Sequence, residues 1–248
     1  MSLHIRKASL CILLANVVLF VSMEIFSLSH DYSLTYLVFG AQYGPLVDRG
    51  EWFRIFTSMF LHAGIIHMVF NSYALYVFGP VVEGIHGPWR FLVFYLTSGA
   101  VGNVATQFFY HDSISLGASG AIFGLIGVLF ALGLKKDIPM FLRSFTGMSL
   151  LPLIAFNILY GFIPGTGINN AAHIGGFLTG MAFGYLTRIP RHWIIDSLIP
   201  ILTGKERFED YRYWRKSVIV EMVWMFSALA MVALVIVAFV SLAITVSS

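Results

Sequence analysis

Charged residues are scarce in this sequence, at 11% of its 248 residues, whereas a soluble domain carries about a quarter. Such a chain cannot cover its surface with polar groups in water, so we expect a lipid bilayer to be the solvent for most of it. Within a bilayer every backbone polar group must be paired internally, which leaves helices or a closed barrel. The apolar runs are continuous rather than alternating, which favours helices. The sequence therefore predicts an all-α membrane protein, a polytopic helical bundle.

Cysteine is almost absent as well: Cys11 is the only one, so it cannot form an intramolecular disulfide. The sequence has no His-Glu-x-x-His motif and no carboxylate beside the pair His62 and His67, which argues against a metal or haem site. We expect no cofactor. The net charge of +3 could suggest a nucleic-acid partner, but membrane topology explains the basic residues better.

Seven apolar runs are candidate membrane spans. They cover about residues 8–28, 64–82, 91–109, 117–134, 147–163, 171–186 and 222–244. The segment 29–62 is too polar to span but rich in aromatic residues, so we predict a partly helical loop in the outer interface. Residues 1–187 then form a six-helix core and 188–216 a cytoplasmic basic linker, with an interfacial helix slightly favoured over a solvated loop. Residues 217–248 form a seventh transmembrane helix.

The basic residues predict the orientation. With the N-terminus inside, all but Arg49 and Arg54 of the 15 Lys and Arg residues fall on inner segments. Cytoplasmic segments of membrane proteins carry such an excess, so we predict a cytoplasmic N-terminus and an outer C-terminus. The short extramembrane regions favour a bacterial-type plasma membrane.

Four polar side chains then fall in one outer layer of the bundle: His67, Asn71, Ser119 and His173 lie in early turns of runs two, four and six. Polar groups are costly in lipid and usually functional there. A serine becomes a nucleophile when a base such as histidine takes its proton. Amide, imidazole and helix N-terminal N–H groups can stabilise an oxyanion. The layer therefore has the groups needed for acyl transfer.

Glycine stripes predict that Ser119 and His173 approach each other. The stripes on runs four and six consist of Gly120, Gly124, Gly127, Gly176, Gly180 and Gly184. Small residues three or four apart let membrane helices pack at backbone distance. We therefore infer that runs four and six pack on these stripes.

Each candidate alone also has a simpler interpretation. Ser119 could be a packing serine in a GxxxG-like helix, and His173 could be an interfacial histidine. His67 and Asn71 could make interhelical hydrogen bonds only. Residues 117–121 do not form the G-x-S-x-G nucleophile elbow, which needs a final glycine and a preceding strand. The joint placement of the four residues is what favours chemistry.

Five motifs occur in order between about residues 50 and 184. They are Glu51-Trp52-Phe53-Arg54, Phe60-Leu61-His62-Ala63-Gly64, His67-Met68-Val69-Phe70-Asn71, Gly117-Ala118-Ser119-Gly120-Ala121-Ile122-Phe123-Gly124-Leu125 and Ala172-His173-Ile174-Gly175-Gly176. In this order and topology the set resembles the rhomboid family of intramembrane serine proteases. The resemblance implies a six-helix core, and the run after it looks like the six-plus-one arrangement of part of that family.

The resemblance implies a catalytic dyad of Ser119 and His173 with no third, acidic member. It implies an oxyanion site made by the Ser119 backbone, His67 and Asn71, and we add Gly117 to this binding site. The reaction expected from the family is endopeptidase cleavage of transmembrane proteins near the outer membrane boundary.

Two further residues are expected to support the dyad. Phe123 stands where some relatives have a tyrosine that stacks on the catalytic histidine, and the phenyl ring retains that packing. Asn170 precedes His173 by three positions. The resemblance also implies that the fifth span and the loop after it act as a substrate gate.

The sequence leaves two other functions open. One is a proteolytically silent family member that binds membrane proteins and controls their fate, against which the intact Ser119 and His173 argue. The other is a small transporter with a polar cavity. A proton-coupled transporter often carries a buried carboxylate, and we expect none in spans two to six, which argues against this function.

Overall fold

The structure, a computed structural model, describes residues 7–136 and 146–187. Within these ranges the protein is helical, and the only strand-like pairing there is an antiparallel bridge between Gln42 and Ser115. The α-helices are α1 (Lys7–Ser27), α2 (Tyr32–Val38), α3 (Gly44–Asp48), α4 (Arg54–Thr57), α5 (Ile65–His86), α6 (Pro88–Phe109), α7 (Ser119–Gly133), α8 (Leu151–Gly161) and α9 (Asn170–Leu186). Short 3-10 helices cover Ser58–Phe60 and Gly147–Leu150.

Helices α1, α5, α6, α7, α8 and α9 lie at the first six predicted runs. Among the described helices, α1 and α5 are long and apolar enough to cross a bilayer, with mean hydropathy of 2.2 and 1.5. Helix α7 is apolar but has 15 residues, roughly 22 Å, and is shorter than the predicted run. The linker 188–216 and the seventh run 222–244 lie outside the described residues.

The segment 29–62 is partly helical, which confirms that part of the prediction, because α2, α3 and α4 lie within it. Arg54 is buried within this segment, at 6% exposed, and its hydrogen bonds hold the segment together. The Arg54 guanidinium donates hydrogen bonds to the carbonyls of Leu37 at 2.7 Å and Ala41 at 2.9 Å. Its Nε donates to the Glu51 carboxylate at 2.8 Å. A buried guanidinium paired in this way satisfies carbonyls that an irregular loop would otherwise leave unpaired.

Helix α7 occupies the centre of the described bundle: all its residues except Ser119, Phe130 and Gly133 are buried. The predicted packing of the glycine stripes is confirmed. A Cβ atom placed on Gly176 would overlap the carbonyl of Gly120 on α7, and the other α9 glycines of the stripe meet α7 backbone in the same way. The two helices therefore meet backbone against backbone.

One expectation about carboxylates is wrong. The sequence places Glu83 in a turn after run two, but α5 continues to His86 and Glu83 is 4% exposed. Its carboxylate accepts the backbone N–H of Ala8 at 3.0 Å and that of Ser9 at 2.9 Å, and also the Ser9 hydroxyl at 2.9 Å. These are unpaired donors in the first turn of α1, where a negative charge is also stabilised by the helix dipole. Glu83 is thus a buried carboxylate that caps another helix.

Candidate active site

Ser119 is the first residue of α7. Gly117, two residues earlier, has a backbone φ of +140°, which residues other than glycine rarely adopt. The Gly117 N–H donates to the carbonyl of Ser58 at 2.9 Å, which fixes the entry into the helix. Since a helix leaves its first N–H groups without intrahelical partners, the backbone at Ser119 offers donors beside its own hydroxyl. The dipole of α7 also favours negative charge there.

His173 lies in the first turn of α9 and faces Ser119 across the glycine contact. Nε2 of His173 and Oγ of Ser119 are 2.8 Å apart, the separation of a hydrogen bond between a base and its nucleophile. Nδ1 of His173 is buried and has no hydrogen-bond partner among the described residues. In this part of the chain, therefore, no carboxylate orients the imidazole.

The Phe123 ring stacks on the imidazole instead. It lies one turn after Ser119 on α7, with its centroid 4.3 Å from that of His173 and an interplanar angle of 11°. Phe123 is 5% exposed, so its own position is fixed by the core. Stacked rings of this kind contribute about 0.5–1.5 kcal/mol beyond the area they bury.

His67 lies on the other side of Gly117 from the serine. A Cβ atom on Gly117 would be 2.9 Å from Nε2 of His67 and 3.9 Å from Oγ of Ser119, so the missing side chain leaves a space shared by both groups. The N–H of Ala63 donates to Nδ1 of His67 at 3.4 Å. A neutral imidazole that accepts at Nδ1 carries its proton at Nε2, which is the atom facing this space.

Asn71 is buried one turn further along α5. Its Nδ2 donates to the backbone carbonyl of His67 at 2.9 Å, so the amide is held against the same helix face as the imidazole. Asn170 is also buried, but its Nδ2 donates to the carbonyl of Ile158 on α8 at 3.1 Å. Asn170 therefore connects α9 to α8.

Sequence reasoning missed Asn169. Its Oδ1 accepts the N–H of Ala172 at 3.0 Å, so it caps α9. Its Nδ2 donates to the hydroxyls of Thr106 at 2.8 Å and Ser115 at 2.9 Å. The N-cap preference of asparagine before an apolar helix could have identified the cap. The two bridges could not be found that way, because their partners are 63 and 54 residues away.

His62 is fully buried beside the site, and its ring meets that of His67 edge to face with centroids 5.3 Å apart. Within the described ranges no group of three or more His, Cys, Asp or Glu side chains is placed to hold a metal ion. The arrangement of a hydroxyl, a base and several N–H donors around one space suits nucleophilic attack on a carbonyl.

Comparisons with known proteins agree on one family. The model of the family described as the Rhomboid domain matches residues 49–190. Rhomboid protease GluP of Bacillus subtilis (strain 168) is 39% identical over 157 residues, which are 63% of this chain and 30% of that protein. RHOMBOID-like protein 6, mitochondrial, of Arabidopsis thaliana is 38% identical over 141 residues, 57% of this chain and 45% of that protein. RHOMBOID-like protein 2 of the same plant is 33% identical over 173 residues, 69% and 54% respectively. The chain thus spans less than two thirds of each of these relatives.

Proposed function

The chain belongs to the rhomboid family, and from its site we propose that it is an intramembrane serine endopeptidase. The observation that carries the proposal is the 2.8 Å separation of Oγ of Ser119 and Nε2 of His173. Two helices packed backbone against backbone hold this pair at their N-terminal ends. Neither a packing serine nor an interfacial histidine requires that contact.

In the proposed reaction His173 acts as general base and then as general acid. Nε2 takes the proton of the Ser119 hydroxyl while Oγ attacks the carbonyl carbon of the scissile peptide bond. The imidazolium returns that proton to the departing amine, leaving an acyl ester on Ser119. A water molecule, deprotonated by the same Nε2, then hydrolyses the ester and restores the hydroxyl. General acid–base catalysis of this kind contributes about 10²- to 10⁴-fold.

The oxyanion formed in both steps is stabilised in the space beside Gly117. We assign three donors to it: Nε2–H of His67, the unpaired N–H groups at the start of α7, and the Nδ2 hydrogen of Asn71 that remains after its bond to the His67 carbonyl. Each good donor contributes about 3–4 kcal/mol to such an intermediate. The absence of a side chain at Gly117 leaves room for the substrate carbonyl.

We propose that the substrates are transmembrane proteins that enter from the bilayer beside α8. Support comes from the packing of α8, in which only Ile154 is buried. Phe156, Leu159 and Phe162 expose 65%, 68% and 67% of their surface along this segment. A loosely held apolar helix can move aside more cheaply than a central one such as α7.

The distribution of Lys and Arg supports a multi-pass protein of the plasma membrane with a cytoplasmic N-terminus. In that orientation Ser119 and His173 lie near the outer boundary, where the substrate would be cut. The C-terminus would then lie outside the cell.

Cleavage of a model transmembrane substrate by the purified full chain in proteoliposomes tests the proposal. We expect Ser119→Ala and His173→Ala each to abolish cleavage. The controls are Ser22→Ala and His30→Ala, because Ser22 is half-buried, His30 is exposed, and among the described residues both bond within the N-terminal segment. An unmodified protein that binds several substrates in several lipids without cleaving any would instead indicate a silent binder. Cleavage that survives Ser119→Ala would mean that the nucleophile is assigned wrongly.

A further inference from the structure

We propose that Asn169 is a positioning residue that sets the separation of Ser119 and His173. The inference rests on the proposed function, because positioning has meaning only if the two groups react together. Asn169 precedes His173 by four residues, and one of its partners, Ser115, precedes Ser119 by four. One side chain therefore connects the two segments that lead into the reactive groups.

Nearly all hydrogen-bonding groups of the Asn169 side-chain amide have partners. The N–H of Ala172 can only donate, so Oδ1 must face it at 3.0 Å. Both hydrogens of Nδ2 then point at hydroxyl oxygens, on Thr106 at 2.8 Å and on Ser115 at 2.9 Å. A helix cap alone would need only Oδ1. The two additional bonds, to different segments, are what a cap does not explain.

Ser115, one hydrogen-bond partner of Asn169, is rigidly held. Its backbone N–H and carbonyl both pair with the backbone of Gln42, at 2.8 and 2.9 Å. Two residues later the Gly117 N–H bonds to Ser58. The stretch between Ser115 and Ser119 is therefore fixed at two points, so the Ser115 hydroxyl is a rigid reference against which Asn169 can position α9 and His173.

The Thr106 end is rigid as well. Thr106 is 1% exposed, and its hydroxyl donates to the carbonyl of Gly102 at 3.1 Å. Gly102 itself touches α9, because a Cβ atom there would lie 2.6 Å from the carbonyl oxygen of Ala172. Asn169 therefore anchors the first turn of α9, which carries His173, to α6 and to the segment before α7 together.

The experiment separates positioning from capping. Asn169→Ser keeps an oxygen suited to a helix cap but is too short to reach both hydroxyls, whereas Asn169→Ala loses the cap as well. We expect both variants to lower kcat to a similar extent, about ten- to a hundredfold, since a misplacement of 1 Å can cost about 10²-fold. KM should change little. Only the alanine variant should also lose the helix cap. Its Tm should therefore be about 2–4 °C lower than that of Asn169→Ser.

Asp31→Ala is the matched control. Asp31 caps α2 by accepting the N–H of Leu34 at 2.9 Å, and in the described part of the chain none of its hydrogen bonds reaches the dyad. We expect this variant to lose thermal stability with unchanged kcat. As a single substitution, Ser115→Ala should lower kcat. In the double variant it should lower kcat little beyond the loss already caused by Asn169→Ser, because both substitutions remove the same hydrogen bond.

The outcomes are distinct. Two results together support the positioning role. Asn169→Ser and Asn169→Ala lose kcat equally, and combining either with Ser115→Ala costs less than the sum of the single losses. A kcat for Asn169→Ser equal to that of the unmodified protein, or a loss that only follows Tm across all variants, overturns it while the proposed function stands. If the unmodified protein cleaves nothing, the proposed function fails and this inference fails with it.

Discussion

Gly176→Ala is the change that most sharply tests how helix packing sets the site. A Cβ atom on Gly176 would lie 2.8 Å from the carbonyl carbon of Gly120 and closer still to its oxygen, whereas ordinary contact begins at 3.4 Å. Both contacting groups are backbone, so α9 must recede from α7 by about 0.6 Å or more. His173 lies one turn before Gly176 and Ser119 directly precedes Gly120. The 2.8 Å separation of Nε2 and Oγ should therefore grow beyond hydrogen-bond range.

Two opposing energies decide the sign of the effect on stability. Alanine favours a helix over glycine by about 1 kcal/mol, while overpacking a core costs about 1–3 kcal/mol. Because the neighbour here is backbone and cannot turn aside, we expect the overlap to win and Tm to fall. We expect kcat to fall about a hundredfold, with a smaller change in KM.

Gly175→Ala is the matched comparison, since it makes the same chemical change one residue earlier. Its Cβ atom would meet α6 at 3.1 Å from Cα of Gly102 and 3.3 Å from Cβ of Ala105, so the required shift is smaller. We expect it to retain most of the activity. Steady-state cleavage and thermal unfolding of both variants measure the effect. A Gly176→Ala variant with unchanged kcat and Tm would refute the backbone contact between α7 and α9.

Three other predictions concern single side chains. Phe123→Leu removes the ring stacked on His173 and should lower kcat about tenfold or less, whereas Phe123→Tyr should retain activity; equal rates for both would contradict the orienting role. Glu83→Ala leaves two backbone N–H groups of α1 uncapped and should lower the unfolding free energy by about 1–2 kcal/mol, so an unchanged Tm would show that the cap contributes nothing. Asp48 ends α3, and its carboxylate lies 2.8 Å from Nε2 of His111 in the loop after α6. The hydrogen bond from His111 lowers the pKa of Asp48, and the hydrogen bond to Asp48 raises that of His111. The stability that the His111 pairing contributes is therefore complete below about pH 6.5 and is lost as pH rises through the raised pKa of His111. The stability that the Asp48 pairing contributes is lost as pH falls through the lowered pKa of Asp48. The Tm difference between the unmodified protein and His111→Gln should shrink as the solution becomes alkaline, and a difference that grows would contradict this pairing.

Hydropathy and small-residue spacing were sufficient to place the helices and the main contact. Continuous apolar runs located the six described long helices, because lipid forces backbone pairing within each run. The spacing of Gly120 and Gly176 with their stripe partners predicted the contact of α7 and α9, because that contact depends on local helical periodicity. The placement of Ser119 and His173 at the same end followed from the order of the spans.

Contacts between distant segments were not predictable in this way. Glu83 looked like a turn residue because a lone carboxylate is costly in lipid, but its partner Ser9 lies 74 residues away in sequence. The side-chain partners of Asn169, Thr106 and Ser115, likewise lie 63 and 54 residues away. Such residues carry no periodic signal, since what compensates for their burial is a donor or acceptor that only the fold brings near. Helix α7 begins later than its apolar run because Gly117 has a left-handed φ that hydropathy does not register.

Reaction of the membrane-embedded protein with a fluorophosphonate, followed by mass spectrometry of its peptides, tests the proposed dyad without knowledge of any substrate. We predict a single covalent adduct, on Oγ of Ser119. His173→Ala should slow its formation by at least about a hundredfold, and Asp31→Ala should leave the rate unchanged. An adduct on another serine, or a Ser119 adduct that forms equally fast without His173, would contradict the assignment of Ser119 and His173 as nucleophile and base.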